Sequence, residues 1–282
     1  MRAGVLTAIA LAGRGRRSEE RASLQAPARG ARRARFWEID ALRGVAVVSM
    51  VFFHLMWDLS YLGMAGIDIY ATPWRLFARG IGTTFTLLLG LSLTLSYARR
   101  QAGPAPPTGF AAFLAYLRRG AGILALGMVV SLVTHVVIGP FAVVFGILHL
   151  LGLSVILAYP FLQASPWVSL LAGLAGIAAG SYLNSVVAPY PWLTWLGVPG
   201  AGLAMVDYYP LLPWFGVALL GVAAGKVLYP RGARRFALAE LGQAAPVRGL
   251  CFLGRNSLVI YMVHQPILLG SLLAITWALL RA

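Results

Sequence analysis

Apolar residues in this chain come in runs of roughly twenty, divided by short stretches rich in Arg, Gly and Pro. About twenty residues is the length a helix needs to cross the hydrocarbon of a bilayer. Run length therefore predicts about seven membrane-spanning helices, over residues 40–62, 76–97, 117–138, 141–162, 166–187, 210–229 and 256–280. Residues 36–282 thus read as one all-α integral membrane domain, a bundle of about seven transmembrane helices in contact with lipid. Residues 1–35 show neither a helical nor a strand period and hold nine Arg against Glu19 and Glu20. They read as a disordered cytoplasmic tail.

Composition sharpens this picture by exclusion. The 282 residues are 60% hydrophobic and only 11% charged, whereas a soluble domain carries about 25% charged residues. A net charge of +15 would suit nucleic acid if it formed one patch, but the basic residues sit between the apolar runs, so no nucleic-acid partner is expected. They concentrate in the tail, in the 98–119 connection and in the 230–255 connection. With seven spans these three fall on one side, which the positive-inside rule makes cytoplasmic: N-terminus in, C-terminus out. Trp57, Tyr61, Tyr70, Trp74, Tyr190, Trp192, Trp195, Tyr208, Tyr209 and Trp214 then gather at the outer interface. They read as an anchoring belt, or, in the 188–214 segment with Asp207 and Trp214, as a face on which a sugar could stack.

The chemistry is confined to a few residues. An ionisable side chain at bilayer depth costs about 2.5–3.5 kcal/mol on insertion scales, so each one is a functional candidate. Arg43, His54 and Asp58 lie within roughly 60° on one face of the first span, and His54 lies about 16 Å beyond Arg43. Asp58 is one turn past His54 and could orient its imidazole as a general base; alternatively His54 bonds a neighbouring helix and Asp58 is solvated at the interface. In the last span Ser257, Tyr261 and His264 share a face, and Arg255 and Asn256 stand at its start, where a helix N-terminus suits a phosphate. His149 and Asp207 complete the set. A single cysteine, Cys251, and the lack of any His-x-x-x-His spacing leave no metal expected. No phosphate loop, nucleophile elbow or dinucleotide fingerprint occurs.

Four segments in order resemble a known family: Arg35-Phe-Trp-Glu-Ile-Asp-Ala-Leu-Arg-Gly44 leading to Phe-Phe-His54, Phe145-Gly-Ile-Leu-His-Leu-Leu-Gly152, Asp207-Tyr-Tyr-Pro-Leu-Leu-Pro-Trp214, and Leu253-Gly-Arg-Asn-Ser-Leu-Val-Ile-Tyr-Met-Val-His-Gln-Pro266. They are similar to the heparan-alpha-glucosaminide N-acetyltransferase catalytic-domain family, in its small bacterial branch, over about residues 35–280. The resemblance implies a transmembrane acyltransferase of the bacterial cytoplasmic (inner) membrane. Such an enzyme passes an acetyl group from cytosolic acetyl-CoA to an extracytoplasmic glycan or lipid-linked sugar. In that reading Arg43, Arg255 and Asn256 hold CoA phosphates, His54, Asp58 and His264 do the chemistry, and Tyr261, His149, Asp207 and Trp214 meet the substrate. The lysosomal members place a catalytic histidine in the connection between the first two spans, but residues 63–75 contain none. His54 rests instead on its spacing from Leu42-Arg-Gly44, which is similar to that of polysaccharide O-acyltransferases. The competing expectation is a proton-coupled transporter or permease in which His54, Asp58, His149 and His264 form a relay. Such a bundle can also form an oligomer.

Overall fold

The computed structural model describes residues 35–186, 188, 191–200 and 205–281. The tail and Tyr190 lie outside the described residues. From Trp37 onward the chain forms one unit. Six helices are long and apolar enough to cross a membrane: α1 (Trp37–Tyr61), α2 (Thr72–Gln101), α3 (Gly109–Ile138), α6 (Pro166–Leu183), α7 (Leu211–Leu228) and α9 (Ser257–Leu279). Each matches one of the seven predicted runs within a few residues, except that α3 begins well before 117.

The remaining run, 141–162, differs. Gly139, Pro140 and Phe141 form a turn of 3-10 helix, residues 142–146 are not helical, and two short helices follow, α4 (Ile147–Leu157) and α5 (Tyr159–Gln163). Hydropathy counts apolar side chains and is blind to the Gly-Pro pair and Gly146, which interrupt the backbone ladder. The segment nevertheless returns along the whole of α3. Val143 N–H bonds Thr134 Oγ1 near one end of α3, and the Tyr159 hydroxyl reaches the Gly109 carbonyl at the other.

A second departure is the 230–255 connection, which contains an amphipathic helix, α8 (Ala245–Arg255). It leads almost directly into α9, with only Asn256 between them.

Among the close helix contacts of the bundle are two sets built on glycine. In one, α7 lies against α6 and α2: a side chain at Gly216 would sit 2.5 Å from the Gly173 carbonyl, and one at Gly221 would sit 2.2 Å from the Leu87 carbonyl. The packing here is apolar, with Leu93, Val155, Ala158 and Val222 fully buried alongside Tyr116. In the other, α1 meets α8, where a side chain at Gly44 would lie 2.1 Å from the Leu250 carbonyl and one at Gly254 only 1.9 Å from the Asp40 carbonyl. Small residues let helix backbones touch, which in lipid is a main source of helix association.

Candidate active site

Gly44 and Gly254 set the register of the site. His54 follows Gly44 by ten residues and His264 follows Gly254 by ten. Ten residues of helix advance about 15 Å, and although Asn256 interrupts the second path between α8 and α9, the equal spacing brings both imidazoles to about one depth. The rings stand 4.7 Å apart between centroids, at 78° to each other. Aromatic neighbours pack around them, with the Phe53 ring 5.7 Å from His54 and the Tyr261 ring 5.7 Å from His264.

The helix backbones fix both tautomers. His54 Nδ1 lies 2.9 Å from the Met50 carbonyl oxygen, and His264 Nδ1 lies 2.8 Å from that of Tyr261 and 3.2 Å from that of Ile260. A carbonyl only accepts, so in each ring Nδ1 carries the proton and Nε2 keeps its lone pair. His264 Nε2 is buried without a hydrogen-bond partner. Two basic nitrogens thus stand on adjacent rings in a largely apolar setting, which is what abstraction of a proton from an incoming nucleophile requires.

Asp58 takes neither role foreseen for it. It is fully buried (0% exposed) and so is not solvated at an interface. Its Oδ1 accepts from Gln265 Nε2 at 2.6 Å, while the His54 nitrogen that a carboxylate would orient is held by Met50. Gln265 escaped the sequence reading because a neutral amide carries no hydropathy alarm; only its adjacency to His264 hinted at it.

The remaining candidates divide. Arg43 donates to Ser92 Oγ on α2 at 2.7 Å and to Asp40 Oδ1 at 3.3 Å. Arg119 of α3 lies within electrostatic reach of both Arg43 and Arg100, and Arg100 stands over the Tyr116 ring at 5.5 Å. Three guanidinium groups from three helices therefore gather near the basic end of the bundle. Two of them, Arg100 and Arg119, were legible in the sequence as loop charge, but not as part of a cluster. Arg255 is exposed at the end of α8, and Asn256 Nδ2 is engaged by the Phe252 carbonyl at 2.8 Å.

His149 lies apart from the His54–His264 pair, and both of its ring nitrogens have partners within the fold. It is buried; the Gly146 N–H donates to its Nδ1 at 3.2 Å, so Nε2 carries the proton and faces Ser131 Oγ at 3.4 Å. This is the opposite tautomer to that of the paired histidines, and it ties the start of α4 to α3. Asp207 joins the two regions. Its Oδ2 accepts the Ile147 N–H at 3.0 Å, at the first turn of α4, and the Tyr261 hydroxyl at 3.4 Å. Burial pushes its carboxyl up to about 6, against the opposing pull of those two hydrogen bonds. Trp214 packs its ring 4.8 Å from that of Tyr209 and lines a core with Phe145, Leu150 and Leu211. Trp57 stacks on Tyr61 at 5.0 Å, while Tyr61, Tyr70, Trp192 and Trp195 are exposed, as an interfacial belt would be. Among the described residues no group of three or more His, Cys, Asp or Glu side chains converges on a point suited to a metal ion.

No curated protein and no solved structure matches the chain. A family model does: residues 35–266 match that described as "Heparan-alpha-glucosaminide N-acetyltransferase, catalytic". The matched span takes in the glycine contacts, both paired histidines and the Arg43 cluster, and the chain belongs to this family of acetyltransferases.

Proposed function

We propose that the protein is a transmembrane acyltransferase of a bacterial cytoplasmic membrane, taking an acetyl group from cytosolic acetyl-CoA to a sugar amine or hydroxyl on the outer side. The observation that carries this reading is the His54–His264 pair, with both Nδ1 protons fixed and both Nε2 lone pairs kept. The basic end of the bundle supplies the donor side. Arg43, Arg100 and Arg119 suit the phosphates of CoA, and Arg255 at the end of α8 adds charge at the surface. Counting the return of 143–163 along α3 as a crossing gives seven, with the basic connections inside and the exposed aromatic residues outside.

In this reading His54 Nε2 takes the proton from the acceptor as its oxygen or nitrogen attacks the thioester carbonyl. The acceptor–acetyl bond forms, the carbon–sulfur bond breaks, and the imidazolium returns the proton to the departing thiolate, so the histidine ends as it began. His264, packed edge to face against the His54 ring, holds that imidazole in place. Tyr261, whose ring packs near His264, and its partner Asp207 are the residues this reading assigns to the acceptor. A relay of transported protons through His54, Asp58, His149 and His264 is less well supported, since both nitrogens of His149 are occupied within the fold.

Purified protein in liposomes, given labelled acetyl-CoA and a panel of amino and hydroxyl sugars, should form labelled product. His54→Ala should reduce kcat by about 10²–10⁴-fold, the usual worth of a general base. Undiminished transfer by that variant would overturn the role of His54. Proton flux driven by a substrate without CoA would favour the transporter instead.

A further inference from the structure

Two oxygen atoms at the α1–α9 contact lack partners, and they belong to the same two side chains. Asp58 and Gln265 share one hydrogen bond, Gln265 Nε2–H to Asp58 Oδ1 at 2.6 Å. Asp58 Oδ2 and Gln265 Oε1 are both buried and unbonded. Both are acceptors if Asp58 is ionised, so neither can satisfy the other. The ion pairs among the described residues join Arg43 to Asp40 and Arg234 to Glu38 and Glu240, and none brings a cation to Asp58. A carboxylate there would be a buried charge without a counter-charge, which proteins rarely retain.

One proton resolves all of this. A carboxylic acid and a primary amide are complementary: the amide N–H meets the acid C=O, and the acid O–H meets the amide C=O. A proton on Oδ2 turns it into a donor toward Oε1, removes both orphaned acceptors and removes the charge. We infer that Asp58 is held as a neutral carboxylic acid in a cyclic two-bond pair with Gln265, and that this pair positions His264. Asp58 lies one turn beyond His54 on α1, and Gln265 directly follows His264 on α9. The pair therefore fixes the rotation of α9 against α1 at the level of the imidazoles, while the Gly44 and Gly254 contacts fix the spacing about three turns away. It also leaves the two histidines without a carboxylate to share their proton. The protonation state is independent of the acetyl-transfer reading; the effect on turnover rests on it.

The test is infrared spectroscopy of the full chain in liposomes, comparing the wild type with D58N. The wild type should show the carbonyl stretch of a protonated carboxylic acid, shifted in heavy water, and D58N should lack it. A carboxylate band in its place overturns the inference. Transfer kinetics give the second arm. D58N can still form two amide–amide hydrogen bonds, whereas D58L and Q265L can form none. The donor KM should be alike in all three, while kcat in D58N should exceed that in D58L and Q265L by about tenfold or more, as expected when reacting groups drift apart. A D58N enzyme as poor as D58L would mean that the negative charge is needed, and the inference falls. If D58L does not fold, Q265L and the infrared band still decide. A band with no acetyl transfer would sink the proposed function and leave this pairing standing.

Discussion

Two of the glycine contacts in this bundle differ in what they carry. Between α6 and α7, Gly173 and Gly216 bring backbones together beside Ile177 and Leu220, and α2 meets α7 through Gly221. Between α1 and α8, Gly44 and Gly254 do the same, but α1 goes on to carry His54 and Asp58, and α8 leads through Asn256 into α9, which carries His264 and Gln265. The same device therefore serves two ends. In the first it yields packing, because a close approach with Leu and Ile around it maximises contact. In the second it yields register, because it sets the relative height of two rings that must meet deep in the bundle, while the Asp58–Gln265 pair fixes their rotation.

Substitution should separate the two. The largest effect is expected at Gly254, where even Ala places a carbon 1.9 Å from the Asp40 carbonyl oxygen. Gly254→Ala should push α8 away from α1 and lower kcat by on the order of 10²-fold, the cost of roughly 1 Å of misplacement, with a smaller loss in melting temperature. Next, Gly216→Ala should do the converse, with a destabilisation of about 1–3 kcal/mol seen by thermal melting in detergent and a kcat that falls much less. Equal losses of activity in both variants would erase the distinction drawn here. Arg119→Ala, outside both contacts, should raise the KM for acetyl-CoA several-fold and leave kcat nearly unchanged, since a phosphate contact is worth roughly 1–2 kcal/mol of binding. The smallest effect concerns Asp207. Its carboxyl is raised from an unfolded value near 3.8 to about 6, so the stability it contributes is complete below about pH 4 and is lost as pH rises through 6. Asp207→Asn keeps an acceptor for Ile147 and should flatten the melting temperature between pH 4 and 7; an unchanged slope would locate the titration elsewhere.

Much of this was legible in the sequence. Run length marked α1, α2, α6, α7 and α9 within a few residues, and Arg43, His54 and His264 stood out because charge inside an apolar run is costly. Other features depend on contacts between helices, which run length does not encode. His54 could be placed on a face of α1, but that its neighbour is His264 follows from the Gly44–Gly254 contact across two helices. Asp58 looked like the partner of His54 because four residues separate them, yet the Met50 carbonyl sits at the same spacing on the other side and accepts the hydrogen bond from Nδ1. His149 looked available until the turn before α4 brought the Gly146 N–H to it. The helix α8 was hidden in a connection counted only for its arginines.

The interrupted segment after α3 has a consequence for how the protein is made. A helix of eleven residues such as α4 is too short to partition into a bilayer by itself, and the non-helical residues before it carry backbone groups that lipid cannot satisfy. Their partners are Thr134 on one side and, on the other, the stretch around 205–209: Val144 N–H points at the Met205 sulfur, Ile147 N–H at Asp207, and the Phe145 carbonyl accepts from Tyr209. Residues 139–165 therefore cannot reach their final state when they leave the ribosome. Their partners around 205–209 exist only once some forty further residues have been synthesised, so the order of synthesis is not the order in which this membrane domain becomes complete.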